Sequence, residues 1–139
     1  MRSATAIAGL ALALQAAVAL ACGHCVEDKI AAVYDHVVVT RSLANRHQVV
    51  FFAIDGPLQA NETVRRMIER IAEGSRGVDP GSTRVSAEAA SLSVAFDPDR
   101  TPLAVLQRGL ERKLAAKRLS LLVLRVMDRP AELKAVTGR

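Results

Sequence analysis

Val49-Val50-Phe51-Phe52-Ala53-Ile54 carries an apolar side chain at every position, and Asp55-Gly56-Pro57 ends the run. Successive side chains of a strand point to opposite faces, so a strand of this composition needs cover on both sides. The stretch from Leu119 to Val126 makes the same demand near the far end of the chain. Between the two, Leu92, Val94 and Phe96 alternate with Ser91, Ser93 and Ala95, a strand pattern. Arg84 to Ala89 alternates as well, with Val85, Ala87 and Ala89 on one side. Asn61 is placed to cap a helix carrying Val64, Met67, Ile68 and Ile71, stopping near Gly74. Asp97-Pro98-Asp99-Arg100 turns, and Thr101 or its neighbour caps a helix through Leu103, Leu106, Leu110 and Leu114.

Ahead of these elements, Val26, Ile30, Val33 and Val37 recur at helical spacing, with Glu27 and Asp28 in the first turn. They predict a helix over about 25–46, with a weak middle at the β-branched Val37-Val38-Val39-Thr40. The order is then helix, strand, helix, strand, strand, helix, strand. Two split βαβ units in a row define an α+β, ferredoxin-like βαββαβ sandwich, here preceded by an extra N-terminal helix. Two helices on one face cannot cover strands that are apolar on both sides. The extra helix is expected to cover the other face, which a symmetric homodimer would bury equally well.

Arg2 is the only charge before Glu27, and Ala6 to Ala21 is apolar apart from Gly9 and Gln15. A basic start, a short apolar run and Ala19-Leu20-Ala21 read as a secretory signal peptide over residues 1–21. The run is short of the roughly 20 residues of a membrane span. The expected division is 1–21 leader, 22–47 motif and N-terminal helix, 48–127 domain and 128–139 tail. An exported, periplasmic protein follows, with lipoprotein anchoring at Cys22 the less favoured cut. Ordinary cleavage after Ala21 would make Cys22 the first residue and His24 the third, a spacing suited to a square-planar Cu(II) or Ni(II) ion.

Cys22-Gly23-His24-Cys25 holds both cysteines of the chain. A closed zinc site needs two further good ligands, and His36 and His47 lie far along the helix. Two thiolates suit a soft, low-coordinate ion, and Cu(I) is favoured. A helix N-terminus lowers thiol pKa values, which serves metal binding and redox exchange alike. The candidate ligands are therefore Cys22, Cys25 and His24. The same four residues also match the dithiol of disulfide isomerases, but no strand precedes them. A plain disulfide capping a helix end in an oxidising compartment is the third reading.

Gly77-Val78, then Arg84-Val85-Ser86-Ala87, then Ser91 through Phe96 with Asp97-Pro98, and finally Leu103, Leu106 and Leu110 form a connected pattern. Over residues 48–126 it resembles the heavy-metal-associated domain family of small ferredoxin-like metal carriers. The resemblance implies that fold and a metal-carrying role. The family's Gly-Met-x-Cys-x-x-Cys loop belongs between the first strand and first helix. Asp55-Gly56-Pro57-Leu58-Gln59-Ala60-Asn61 stands there instead, without a thiol, so no family ligand carries over.

The formal charge of +5 comes mostly from arginines scattered along the chain, which fits a solvated surface better than a nucleic-acid track. No nucleophile with a partner base, phosphate loop or paired carboxylate is apparent. The sequence thus points to a small exported copper carrier or scavenger, not an enzyme, partnered by a metal ion and a second metal-handling protein. Thiol–disulfide exchange, and an interaction module with a structural disulfide, are the alternatives.

Overall fold

A computed structural model describes residues 26–128 of the chain. The leader, the Cys22–Cys25 motif and the tail beyond Asp128 lie outside the described residues. Residues 26–31 form helix α1, followed by α2 (His36–Ala44), β1 (Gln48–Asp55), α3 (Glu62–Glu73), β2 (Arg84–Ser86), β3 (Ser91–Phe96), α4 (Leu103–Leu114) and β4 (Ser120–Met127). A 3-10 turn at Ala115–Lys117 ends α4. The strands form one antiparallel sheet in the order β2-β3-β1-β4, the ferredoxin-like arrangement expected for βαββαβ.

β1 takes an interior position because both of its faces are apolar. Val50 stands opposite Val94 on β3 and Val126 on β4, and Phe52 stands opposite Leu92 and Val123. The β1–β4 register slips between Phe51 and Phe52, so β4 carries one extra residue, Leu124. Alternate residues of β1 then serve two separate cores. Val50, Phe52 and Ile54 pack with Leu92, Val94 and Phe96 under Ile68 and Ala72 of α3 and Leu106, Leu110 and Leu114 of α4. Val49 and Phe51, with Ala95, pack under Ile30, Val33, Val38 and Val39 of the N-terminal segment. Each Phe, Leu or Ile so buried contributes about 1.5–3 kcal/mol. The second face is therefore covered by the chain's own N-terminal helices.

That segment is two helices with a turn between them. In a continuous helix the Val37 amide would bond to the Val33 carbonyl. Here the Ser93 hydroxyl donates to the Val33 carbonyl at 2.9 Å, and the Val37 amide donates to the Asp35 carboxylate at 2.9 Å. Asp35 also accepts from the Val38 amide at 3.1 Å, capping α2, and pairs with Arg84 on β2 at 2.9 Å. The interruption thus falls at residues 32–35, ahead of the β-branched run, which lies inside α2 and buries Val38 and Val39. After α2 the chain reverses through Arg46, which has φ 62°, and the His47 amide bonds the Ser42 carbonyl at 2.8 Å.

One smaller expectation is corrected and another is narrowed. The alternation at Arg84 to Ala89 yields a strand of only three residues, because the hairpin register closes at Ser86–Ser91 and residues 87–90 turn. Of Thr101 and its neighbour, the neighbour stands at the start of α4. Pro102 holds the N-cap position, and no side chain bonds there. Asn61 does cap α3, accepting from the Val64 amide at 2.9 Å.

Candidate functional site

Cys22, His24 and Cys25 lie outside the described residues, whose first member, Val26, follows Cys25 directly in the chain. What the structure defines is the mounting of helix α1 from Val26 onward. Val26 is half-buried against the second core, and Ile30 and Val33 are fully inside it. Glu27 reaches across to β4 and accepts from Arg125 Nη2 at 2.6 Å. Lys29 Nζ donates to the carbonyls of Ala89 and Ala90, at 2.5 and 3.3 Å, in the β2–β3 turn. The Ala90 carbonyl is also bonded by the Ile54 amide at 2.8 Å, so Lys29 sits at the end of β1 that leads into the 55–61 loop. Between Glu27 and Asp35 the chain crosses the sheet, touching β4 through Arg125, β3 through Ser93 and β2 through Arg84. The segment expected as one helix over about 25–46 therefore docks as two short helices.

The loop of residues 55–61 is described completely, and its residues have structural work. Gly56 has φ 124°, and a Cβ there would collide with the Arg118 carbonyl. Leu58 packs against the first core. Glu62, just beyond the loop, is held at about 2 by hydrogen bonds from Arg65 and then Arg66, so it is engaged by cations of its own helix. Asp55 is the loop's one carboxylate and is exposed. Among the described residues no group of three His, Cys, Asp or Glu side chains is arranged to hold a metal ion.

The two remaining histidines occupy other places. His36 is exposed at the start of α2, with Thr40 Oγ1 3.5 Å from its Nε2. His47 precedes β1, at the end opposite the 55–61 loop. The Asp79 carboxylate accepts from its Nδ1 at 2.5 Å, and Asp97 stands 3.8 Å from its Nε2. Sequence reading missed this bracket, because it follows from the strand register. Gln48 pairs with Phe96, so one step outward along the same register sets His47 against Asp97. Met67 and Met127 are half-buried, one against each core, as expected of packing residues.

Electrostatics elsewhere follow ordinary capping. Asp35 lies below the usual carboxylate range, chiefly through the Val38 amide, with Arg84 adding to it against the opposing effect of burial. Burial pushes Glu73 up, but the Gly81 amide, the Thr83 hydroxyl and amide and the Arg84 charge outweigh it and leave Glu73 lowered. Both groups tie loops to the scaffold.

No helix among the described residues is long and apolar enough to cross a membrane. No family profile matches the sequence, and no curated protein is significantly similar to it. Among solved structures, the chain is similar to a copper-binding domain from HMA7, a P-type ATPase, at 14% identity and TM-score 0.46, over 57% of this chain and 96% of that one. It is similar also to oxidized MerP from Ralstonia metallidurans CH34, at 18% identity and TM-score 0.45, over 57% of this chain and 99% of that one.

Proposed function

We propose that this chain is a small exported heavy-metal-binding protein, a carrier or scavenger of copper, that binds Cu(I) through Cys22 and Cys25 with His24 beside them. The observation that supports it is the mounting of α1, whose first described residue, Val26, follows Cys25 directly in the chain. Glu27–Arg125 and Lys29 with the Ala89 and Ala90 carbonyls fix that helix to the sheet, and Ile30 and Val33 anchor it in the second core. A thiol pair one residue ahead of so firmly mounted a segment in the sequence suits an ion that must be accepted and released. Paired thiolates prefer Cu(I), and a helix N-terminus keeps thiols ionisable at neutral pH. The ferredoxin-like part, residues 48–127, is the platform in this reading, and it works without catalysis. Residues 1–21 direct export to the periplasm and are removed. The partner is a second metal-handling protein. Mass spectrometry of the exported chain tests the cut: the reading expects an unmodified Cys22 at the N-terminus, and an acylated Cys22 contradicts it.

Thiol–disulfide exchange is the second reading, favoured by the Cys-Gly-His-Cys sequence itself. Metal analysis of the reduced protein decides between them. The carrier takes up about one Cu(I) per chain, loses it in Cys25→Ser, and does not turn over insulin disulfides. Sustained insulin reduction without retained metal supports the exchange reading instead.

A further inference from the structure

Two sets of cations stand apart among the described residues. Arg65 pairs with Glu62 and Glu69, Arg66 with Glu62, Arg84 with Asp35 and Arg125 with Glu27. The second set lines the seam between the C-terminal end of α3 and the outer face of α4. There a cavity of about 490 Å³ is walled by Arg76, Arg100, Arg112 and Lys113, with Thr101 and Val105 beside them and no carboxylate. Lys113 donates to the Gly74 carbonyl at 3.1 Å, a neutral partner that leaves its charge uncompensated. A second concavity, about 560 Å³, continues along α4 past Val105 and Arg112 to Arg108. Glu111 borders it, but its carboxylate accepts from the Leu121 amide at 3.1 Å and is directed to β4. Val105 is an apolar side chain 47% exposed, and it borders both concavities.

We propose that this seam is a docking groove for an acidic, extended segment of a partner protein, with one apolar side chain of that segment covering Val105. Like charges gathered on one face repel each other, and an acidic partner removes that repulsion while steering association. The two concavities adjoin along α4, setting cations in a line from Arg100 to Arg112, which fits a chain laid along that helix. No aromatic side chain borders the groove to stack nucleobases, unlike surfaces that hold single-stranded nucleic acid. The groove is built from α4, the turn ahead of it and the loop that follows α3, so the proposal is independent of the metal reading.

The test uses the full mature protein and a fluorescein-labelled peptide of eight residues, all Asp and Glu except a central Leu, followed by anisotropy. Binding is expected at low salt, weakening about tenfold or more when Arg100→Glu and Arg112→Glu are combined, and severalfold with Val105→Ser. Arg66→Glu, an exposed cation outside the groove, is expected to change the affinity less than about twofold. Far-UV circular dichroism and the melting temperature check that each variant is folded. If the double reversal unfolds the chain, Arg100→Gln with Arg112→Gln replaces it, with a smaller, severalfold loss expected. Absence of binding overturns the proposal. So does equal weakening by Arg66→Glu, or binding to phosphatidylglycerol vesicles that needs Arg100 and Arg112 while the peptide does not bind.

Discussion

Phe51 and Phe52 are consecutive in β1, both are almost wholly buried, and they belong to different cores. Phe52 lies under α3 and α4 with Leu92 and Leu110. Phe51 lies under the N-terminal helices, where the Tyr34 ring stacks on it with centroids 6.4 Å apart and planes 13° from parallel. The N-terminal segment is thus a third layer on the sandwich, and its purchase on the sheet runs largely through Phe51, Val49 and Ala95.

Replacing either phenylalanine by alanine should cost about 3–5 kcal/mol, the usual range for a buried aromatic. The two losses should differ in place. Phe51→Ala is expected to speed hydrogen exchange mainly at residues 30–44, and Phe52→Ala to speed it across α3 and α4. Native-state exchange read by mass spectrometry checks this, and identical patterns for the two variants would contradict a two-core architecture.

Acid should loosen the protein through carboxylates that are held ionised. Glu62 is lowered from 4.5 to about 2 by Arg65 and Arg66, and Asp35 is lowered from 3.8 chiefly by the Val38 amide. A depressed folded-state pKa stabilises above the unfolded value and is lost as pH falls through the folded one. Stability should therefore decline on acidification from about pH 4.5 toward about pH 2. Glu62→Gln should flatten part of that decline. Asp35→Asn keeps a capping oxygen for Val37 and Val38 yet removes the charge facing Arg84, so it should flatten the slope while retaining α2. Melting temperature against pH for the three proteins reads this out.

Much of the architecture can be read directly from apolar spacing. β1, β3, α3 and α4 have side-chain periods set by burial on a known number of faces, and all four stand within a residue or two of expectation. What spacing cannot show is a local bond that competes with the helix ladder. Ser93 and Asp35 divert the two ends of a single helical bond, Val37 to Val33, and one expected helix becomes two. The His47 bracket escaped for a related reason, since Asp79 and Asp97 become its neighbours only once the β1–β3 register is fixed. The site ligands were legible only as residue types, because Cys22, His24 and Cys25 lie outside the described residues.

The 55–61 loop gives a separable pair of outcomes. Gly56→Ala forces a side chain into a backbone with φ 124° and against the Arg118 carbonyl. It should destabilise by about 1–3 kcal/mol, the cost of such strain, and leave Cu(I) uptake intact at a temperature where the protein is folded. Asp55→Ser should change neither stability nor metal content. Loss of metal in a folded Asp55→Ser protein would reveal a ligand in this loop.

His36 and His47 should prove dispensable for metal. His47→Gln removes a partly exposed contact with Asp79 and Asp97, and a loss of no more than about 1 kcal/mol is expected from such a pair. Both His36→Gln and His47→Gln should bind copper as the parent does, measured by metal content after desalting.

The most direct measurement is an anaerobic competition for Cu(I) between the reduced mature protein and a chromophoric chelator. The parent chain should withdraw about one equivalent of Cu(I), as a two-thiolate site requires. Cys22→Ser and Cys25→Ser should withdraw essentially none while keeping the parent's circular dichroism and melting temperature. Undiminished withdrawal by a folded Cys25→Ser protein, or none by the reduced parent, would contradict a copper site at the N-terminal cysteine pair.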